Sequence, residues 1–315
     1  MPTFRILAAL TVLAVPAPAL AQHSHDHAHP GPAAGGDSPE LRAQIEAVRR
    51  ATERYRDHAN AVRDGYRLFG MEGPLMGEHW YRADLVKQPL DLSRPSTLQY
   101  ATIGGRKVLV GVAYTLYRRP DEPLPEGFAG DSDHWHTHDV ARLARAVVAD
   151  RPLLRGIVNR RIERGKVGAG EGRTLLTMVH AWIWSDNPDG TFAQEHRALP
   201  YLRAGLPAEW AAGAGKDAPQ GVALLAPGAC ADEVKRTDRL AGLGGAQERD
   251  LAVACERGSA AVRAALNRER SEANVNAAAE AAWRAFEAAR ARTLTREQLA
   301  RIERVMGAAL EPHVM

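Results

Sequence analysis

The chain has 315 residues, a formal net charge of +3, and five lysines against 36 arginines scattered among acids. No basic stripe with interleaved aromatics forms, which argues against nucleic acid as a partner. Only two cysteines occur, Cys230 and Cys255, in no C-x-x-C spacing, so thiol redox chemistry and covalent haem attachment have no support.

Residues 1–21 read as a signal peptide. Arg5 supplies charge, residues 6–20 are apolar, and Ala19-Leu20-Ala21 offers a small-residue cleavage site. The stretch is short for a membrane span, and no later run of about 20 apolar residues follows. The expectation is a periplasmic or secreted protein with no membrane association after cleavage. In that compartment Cys230 and Cys255 are expected to form a disulfide between neighbouring helices. Residues 22–37 are His, Pro, Gly and Ala with a few polar residues, a composition that cannot build a core. A disordered His-rich linker is expected there, with His23, His25, His27 and His29 able to capture Cu, Ni or Zn weakly.

Ser38-Pro39-Glu40 reads as an N-cap, a first-turn proline and a first-turn acid. Leu41, Ile45, Val48, Thr52, Tyr55, Ala59, Val62 and Tyr66 follow at steps of four and three, the signature of a long amphipathic helix. Residues 71–96, rich in Gly and Pro, read as a long ordered loop. Residues 97–103 and 107–117 are strand-like and joined at Gly104-Gly105, a hairpin signal. Residues 140–163 look helical with a break at Arg151-Pro152. Residues 174–184 are again strand-like and end at Asp186-Asn-Pro-Asp-Gly190, a turn.

Beyond residue 208 helix formers dominate, with helices expected near 231–242, 247–267, 271–291 and 296–310. Thr295 and Gln298 stand at capping-box spacing for the last of these. The whole reads as an α+β fold: a small antiparallel sheet packed with a long N-terminal helix, followed by a mainly helical extension. The expected division is an α+β histidine-motif domain over 38–207 and a helical region over 208–315.

The chemistry points to histidine. In His134-Trp-His136-Thr-His138-Asp139, alternate residues of an extended chain share one face, so the imidazoles project together. On the 174–184 strand Met178, His180, Trp182 and Trp184 share a face. Met76-Gly-Glu-His79 supplies another imidazole. Three or four neutral imidazoles suit Zn, Cu, Ni or non-haem Fe by ligand type, and nearby thioethers favour copper. The expected ligands are His79, His136, His138 and His180, with His134 and Met76 next, holding copper or zinc. Asp133, Asp139 or Glu195 are candidates to orient imidazole nitrogens. Glu78 and Glu195 are candidate general bases beside a metal-bound water. No G-x-S-x-G, Cys-His pair or phosphate loop occurs.

Several motifs recur in order: Ala51-Thr-Glu-Arg-Tyr-Arg-Asp57, Gly65-Tyr66, Met76-Gly-Glu-His79-Trp80, Pro95-Ser-Thr-Leu-Gln-Tyr100 and Val108-Leu-Val-Gly-Val-Ala-Tyr114. Trp135-His-Thr-His-Asp139, His180-Ala-Trp-Ile-Trp184, Asn187-Pro-Asp-Gly-Thr-Phe192 and Pro200-Tyr-Leu-Arg203 complete the set. Over residues 50–207 the chain resembles a family of secreted bacterial proteins of unknown function. The resemblance implies an α+β domain with its His and Trp motifs close together, and no activity. Many relatives carry a cysteine shortly before the M-G-x-H motif; this chain has Phe69-Gly-Met-Glu-Gly-Pro there. Three functions follow: periplasmic metal handling, a metal-dependent hydrolase or oxidoreductase with an open coordination position, or a metal-free structural or interaction protein. A homo-oligomer is compatible with each.

Overall fold

The structure, a computed structural model, describes residues 38–131 and 133–309. The signal peptide and the His-rich linker expected at 1–37 lie outside the described residues. The fold is α+β: a six-stranded antiparallel sheet and ten α-helices among the described residues.

Helix α1 (Pro39–Thr52) begins as its sequence indicates. The Ser38 hydroxyl accepts from the Leu41 amide at 3.1 Å, and Leu41, Ile45 and Val48 turn into the core. The helix expected to continue to Tyr66 is broken. The Thr52 hydroxyl donates back to the Val48 carbonyl at 2.7 Å, a 3-10 turn covers Glu53–Arg56, and Asp57 caps a new helix, α2 (His58–Arg63). The break lets Tyr55 and Tyr66 stack edge to face at 5.3 Å within the core. An unbroken helix would place them three turns apart on one side.

The sheet runs β1 (Arg67–Gly73), β2 (Gly77–Tyr81), β3 (Thr97–Ile103), β4 (Arg106–Arg118), β5 (His136–Asp139) and β6 (Leu175–Ala181), in spatial order β1-β2-β3-β4-β6-β5. The stretch expected to be a loop at 71–96 therefore contains the end of β1 and all of β2. Its glycines and Pro74 disguise a short hairpin whose second strand pairs with β3. Gly104 and Gly105, both at positive φ, turn β3 into β4 as expected.

The two sheet faces have different fates. Leu98, Tyr100, Leu109, Val112, Tyr114, Val179 and Ala181 point to one side and pack with Leu41, Ile45 and Val48 of α1. The opposite face carries the histidines. Between β5 and β6 lie α3 (Val140–Val147) and α4 (Pro152–Glu163), separated at Arg151-Pro152. After β6 come the short helices α5 (Leu199–Arg203) and α6 (Ala218–Ala223). The four long ones follow: α7 (Ala229–Ala241), α8 (Gly245–Arg268), α9 (Glu272–Thr293) and α10 (Arg296–Ala309). Cys230 and Cys255 are bonded between α7 and α8. The capping box of α10 forms, with Thr295 and Gln298 exchanging hydrogen bonds at 2.9 and 3.2 Å. The helices share cores with the rest of the chain: Leu143 of α3 packs among Leu240, Ile302, Val305 and Met306, and Tyr201 of α5 among Val222, Val262 and Val275. Among the described residues no helix is long and apolar enough to cross a membrane.

Candidate metal centre

Strand register decides which side chains meet. His79 lies opposite Gln99, Gln99 opposite Gly111, Ala113 opposite His180, Met178 opposite His136 and Leu176 opposite His138. Directly opposed residues point to the same side, so all four histidines project from one face. They are also buried, at 6% (His79), 5% (His136), 3% (His138) and 0% (His180) exposure.

His180 is the hub. Its ring centre lies 5.0 Å from that of His136 and 5.5 Å from that of His79, and His136 lies 5.3 Å from His138. Two strands separate β2 from β6, which in a flat sheet would hold them roughly 14 Å apart. The rings meet because the sheet curls around this face. A bulge opposite Gln99 and Tyr100, where Val110 is the extra residue between Leu109 and Gly111, bends β4. Small residues, Gly111 and Ala113, line the floor between. A Cβ on Gly111 would stand 2.9 Å from the Ala181 carbonyl oxygen and 3.0 Å from both the Gln99 amide and the Trp182 ring. A larger residue there would push apart what the curl brings together.

The His180 ring is fixed by a backbone group. Its Nδ1 stands 2.7 Å from the Gln194 carbonyl oxygen. A carbonyl only accepts, so Nδ1 carries the proton and Nε2 keeps its lone pair. Nε2 is buried with no hydrogen-bond partner. Trp182 braces the same segment by donating from Nε1 to the Ala193 carbonyl at 2.7 Å. Burial pushes the His180 imidazole down to about 3, with neighbouring His79 and His138 adding. Burial takes His79 down to about 4. Both rings are neutral at pH 7, the form that ligates metal.

A cavity borders the cluster. It offers about 60 Å³ to the centres of water-sized molecules, and His79, His136, His138, Met76 and Met178 line it with a wall of Phe69, Tyr81, Tyr117 and Leu176. Met76, in the turn before β2, is half-buried. His134 is exposed in the segment ahead of β5 and outside the cavity lining.

Three of the four acids considered, Asp139, Asp133 and Glu78, serve elsewhere. Asp139 caps α3, accepting from the Ala141 and Arg142 amides, and Asp133 takes the Phe128 amide and the Trp135 indole. Glu78 points to the opposite face, where Lys107 and the Trp80 indole hold it. A backbone carbonyl orients His180 instead, which no side-chain pattern announces. Gln99 joins the same face from outside the histidine motifs. It is fully buried beside His79, and neither atom of its amide has a hydrogen-bond partner. His196 is buried too, with its ring 5.0 Å from Trp182 and its backbone N–H donating to the Leu75 carbonyl. Its one sequence signal is its place just after the 186–190 turn.

Among the described residues, no three His, Cys, Asp or Glu side chains converge their donor atoms as they stand into a set that could hold a metal ion. The four imidazoles are neighbours, but their rings are crossed at 50° to 83°. No protein-family model, curated protein or solved structure matches the chain.

Proposed function

We propose that this chain is an exported metal-binding protein that holds copper or zinc through His79, His136, His138 and His180, and serves transition-metal handling in the periplasm or outside the cell. One observation carries the reading: His180, oriented through Nδ1 and with a buried, unpartnered Nε2, sits at the centre of a chain of buried imidazoles. An N–H donated to a carbonyl while the other nitrogen faces inward is the usual dress of a metal-ligating histidine. Leaving that nitrogen buried and unmet costs about 1–3 kcal/mol, which a metal ion would recover. Two imidazoles on one tetrahedral ion at about 2.1 Å have ring centres roughly 5 Å apart, close to the spacings seen here. Loading then requires the rings to turn about their side-chain torsions while the strands stay in place.

Export draws support from the apolar segment at 6–20 and from the Cys230–Cys255 bond, which suits an oxidising compartment. The motif resemblance to secreted bacterial proteins points the same way.

The test uses the chain with His23→Ala, His25→Ala, His27→Ala and His29→Ala, so that the linker contributes nothing. After reconstitution with copper or zinc and desalting, elemental analysis is expected to find one equivalent of metal. No bound metal would overturn the proposal. Adding His136→Ala with His180→Ala is expected to abolish stoichiometric binding; unchanged affinity would place the ligands elsewhere. The adjoining cavity favours a second reading, a metal-dependent hydrolase or oxidoreductase with an open coordination position. An exchangeable water ligand in the spectrum of the cobalt- or copper-loaded protein distinguishes it from a closed carrier site.

A further inference from the structure

The cavity lining has a chemical bias that goes beyond metal binding as such. Its nitrogen and sulfur donors of metal-ligating type are the imidazoles of His79, His136 and His138 and the thioethers of Met76 and Met178, beside the neutral hydroxyls of Thr97, Thr115, Tyr81 and Tyr117 and the Gln194 amide. Among the described residues no carboxylate and no cysteine lines it. Met178 stands directly across from His136 in the sheet and is 8% exposed, so its sulfur belongs to the same buried face. As ligands, imidazole and thioether bring no negative charge to an ion.

Resting on the metal-binding reading above, we propose that the centre selects monovalent copper, Cu(I), over zinc. Two physical arguments converge. Thioether sulfur is a soft donor that prefers Cu(I), whereas zinc sites are built from imidazole, thiolate and carboxylate. The cost of moving an ion into a low-dielectric interior grows with the square of its charge, so a divalent ion pays roughly four times what a monovalent ion pays. Zinc sites commonly offset that cost with anionic ligands. Here Phe69, Leu176 and the rings of Tyr81 and Tyr117 make much of the wall, the polar groups of Thr97, Thr115 and Gln194 are uncharged, and no side chain of the lining supplies negative charge. A monovalent ion fits a wall that offers no anionic ligand. A divalent ion would have to bring its own anion.

The experiment is an anaerobic competition on the full chain with the four linker histidines replaced by alanine. Cu(I) is titrated against a chromophoric Cu(I) chelator, and Zn(II) in parallel against a fluorescent zinc indicator. One equivalent of Cu(I) is expected to bind with the lower Kd. Met76→Leu with Met178→Leu is expected to weaken Cu(I) binding by about tenfold or more while leaving zinc unchanged, the size of loss that supporting groups of metal sites cause. Leucine keeps the volume, so the core should tolerate both changes. If circular dichroism shows the double variant unfolded, Met76→Leu alone, in its half-buried turn, carries the comparison. Zinc bound as tightly as Cu(I), or Cu(I) affinity indifferent to the methionines, overturns this inference and leaves metal binding standing. Failure to bind either ion overturns both.

Discussion

Glu195 and His196 are adjacent, and burial perturbs them in opposite senses. Burial pushes the Glu195 carboxyl up from 4.5 to about 7, with Asp189 adding and Arg197 opposing. Burial pulls the His196 imidazole down from 6.5 to about 4, partly offset by the Ser185 backbone. The linkage signs follow. His196 is lower when folded, so its contribution to stability is complete above pH 6.5 and is lost as pH falls through about 4. Glu195 is higher when folded, so its contribution is present below pH 4.5 and is lost as pH rises through about 7. Glu195→Gln should therefore stabilise the protein at pH 8, by about 1 kcal/mol once its remaining solvent contact is discounted. His196→Leu should flatten the fall of the urea midpoint between pH 6.5 and 4. Parallel pH profiles for wild type and His196→Leu would show that His196 does not contribute to acid sensitivity.

At the scale of the element, β2 is the piece on which the site turns, since it brings His79 to a cluster otherwise made by β5 and β6. Gly77 opens it at φ +65°, and a Cβ there would meet the Tyr100 carbonyl oxygen at 2.5 Å. Gly104 has a similar φ of +56° with nothing within 4 Å. Gly77→Ala should cost roughly 2–4 kcal/mol, and Gly104→Ala about 1 kcal/mol from backbone conformation alone. Equal losses in denaturant titrations would deny the close approach. The sequence of this strand carries little sign of extended structure. Alternation exposed β5 and β6, Gly104-Gly105 exposed the β3–β4 hairpin, and helix formers with caps exposed the four long C-terminal helices. Gly73, Pro74 and Gly77 spell loop over residues that form a hairpin, because β2 is held by pairing to β3 and not by its own composition. The break in the first helix was hidden for the same reason: Thr52 and Asp57 fit a helix locally, and the burial of Tyr55 and Tyr66 overrides them. The gathering of His79 with His180 depends on sheet curl, and the orienting partner of His180 is a backbone carbonyl. Neither leaves a mark in side-chain patterns.

Across the whole molecule, α5 and α7 grip the strand end that leads into the turn carrying Met76. Glu72, just before that turn, pairs with Arg203 at 3.1 Å, and its backbone carbonyl accepts from Arg236 at 2.9 Å. Arg236 in turn binds Glu233 through Nε and Nη2 at 3.0 and 2.6 Å, and both side chains are under 10% exposed. A buried ion pair is costly to break and cheap to replace. Arg236→Met should therefore destabilise the protein by about 3–5 kcal/mol, because the Glu233 carboxylate stays buried with only Arg290, 3.9 Å away, to face it. Arg236→Met combined with Glu233→Met removes the stranded charge. The loss should then fall to about 1 kcal/mol, the worth of the bond to the Glu72 carbonyl. Arg290 keeps Glu287 at 2.6 Å in that double variant. If the pair only stabilises α7 locally, the Cu(I) binding proposed above should be the same in both variants as in wild type. If it positions the turn at Met76, the double variant should be nearly as stable as wild type yet bind Cu(I) more weakly. A double variant as unstable as Arg236→Met would show that the energy lies in the contact to Glu72 and not in the pair.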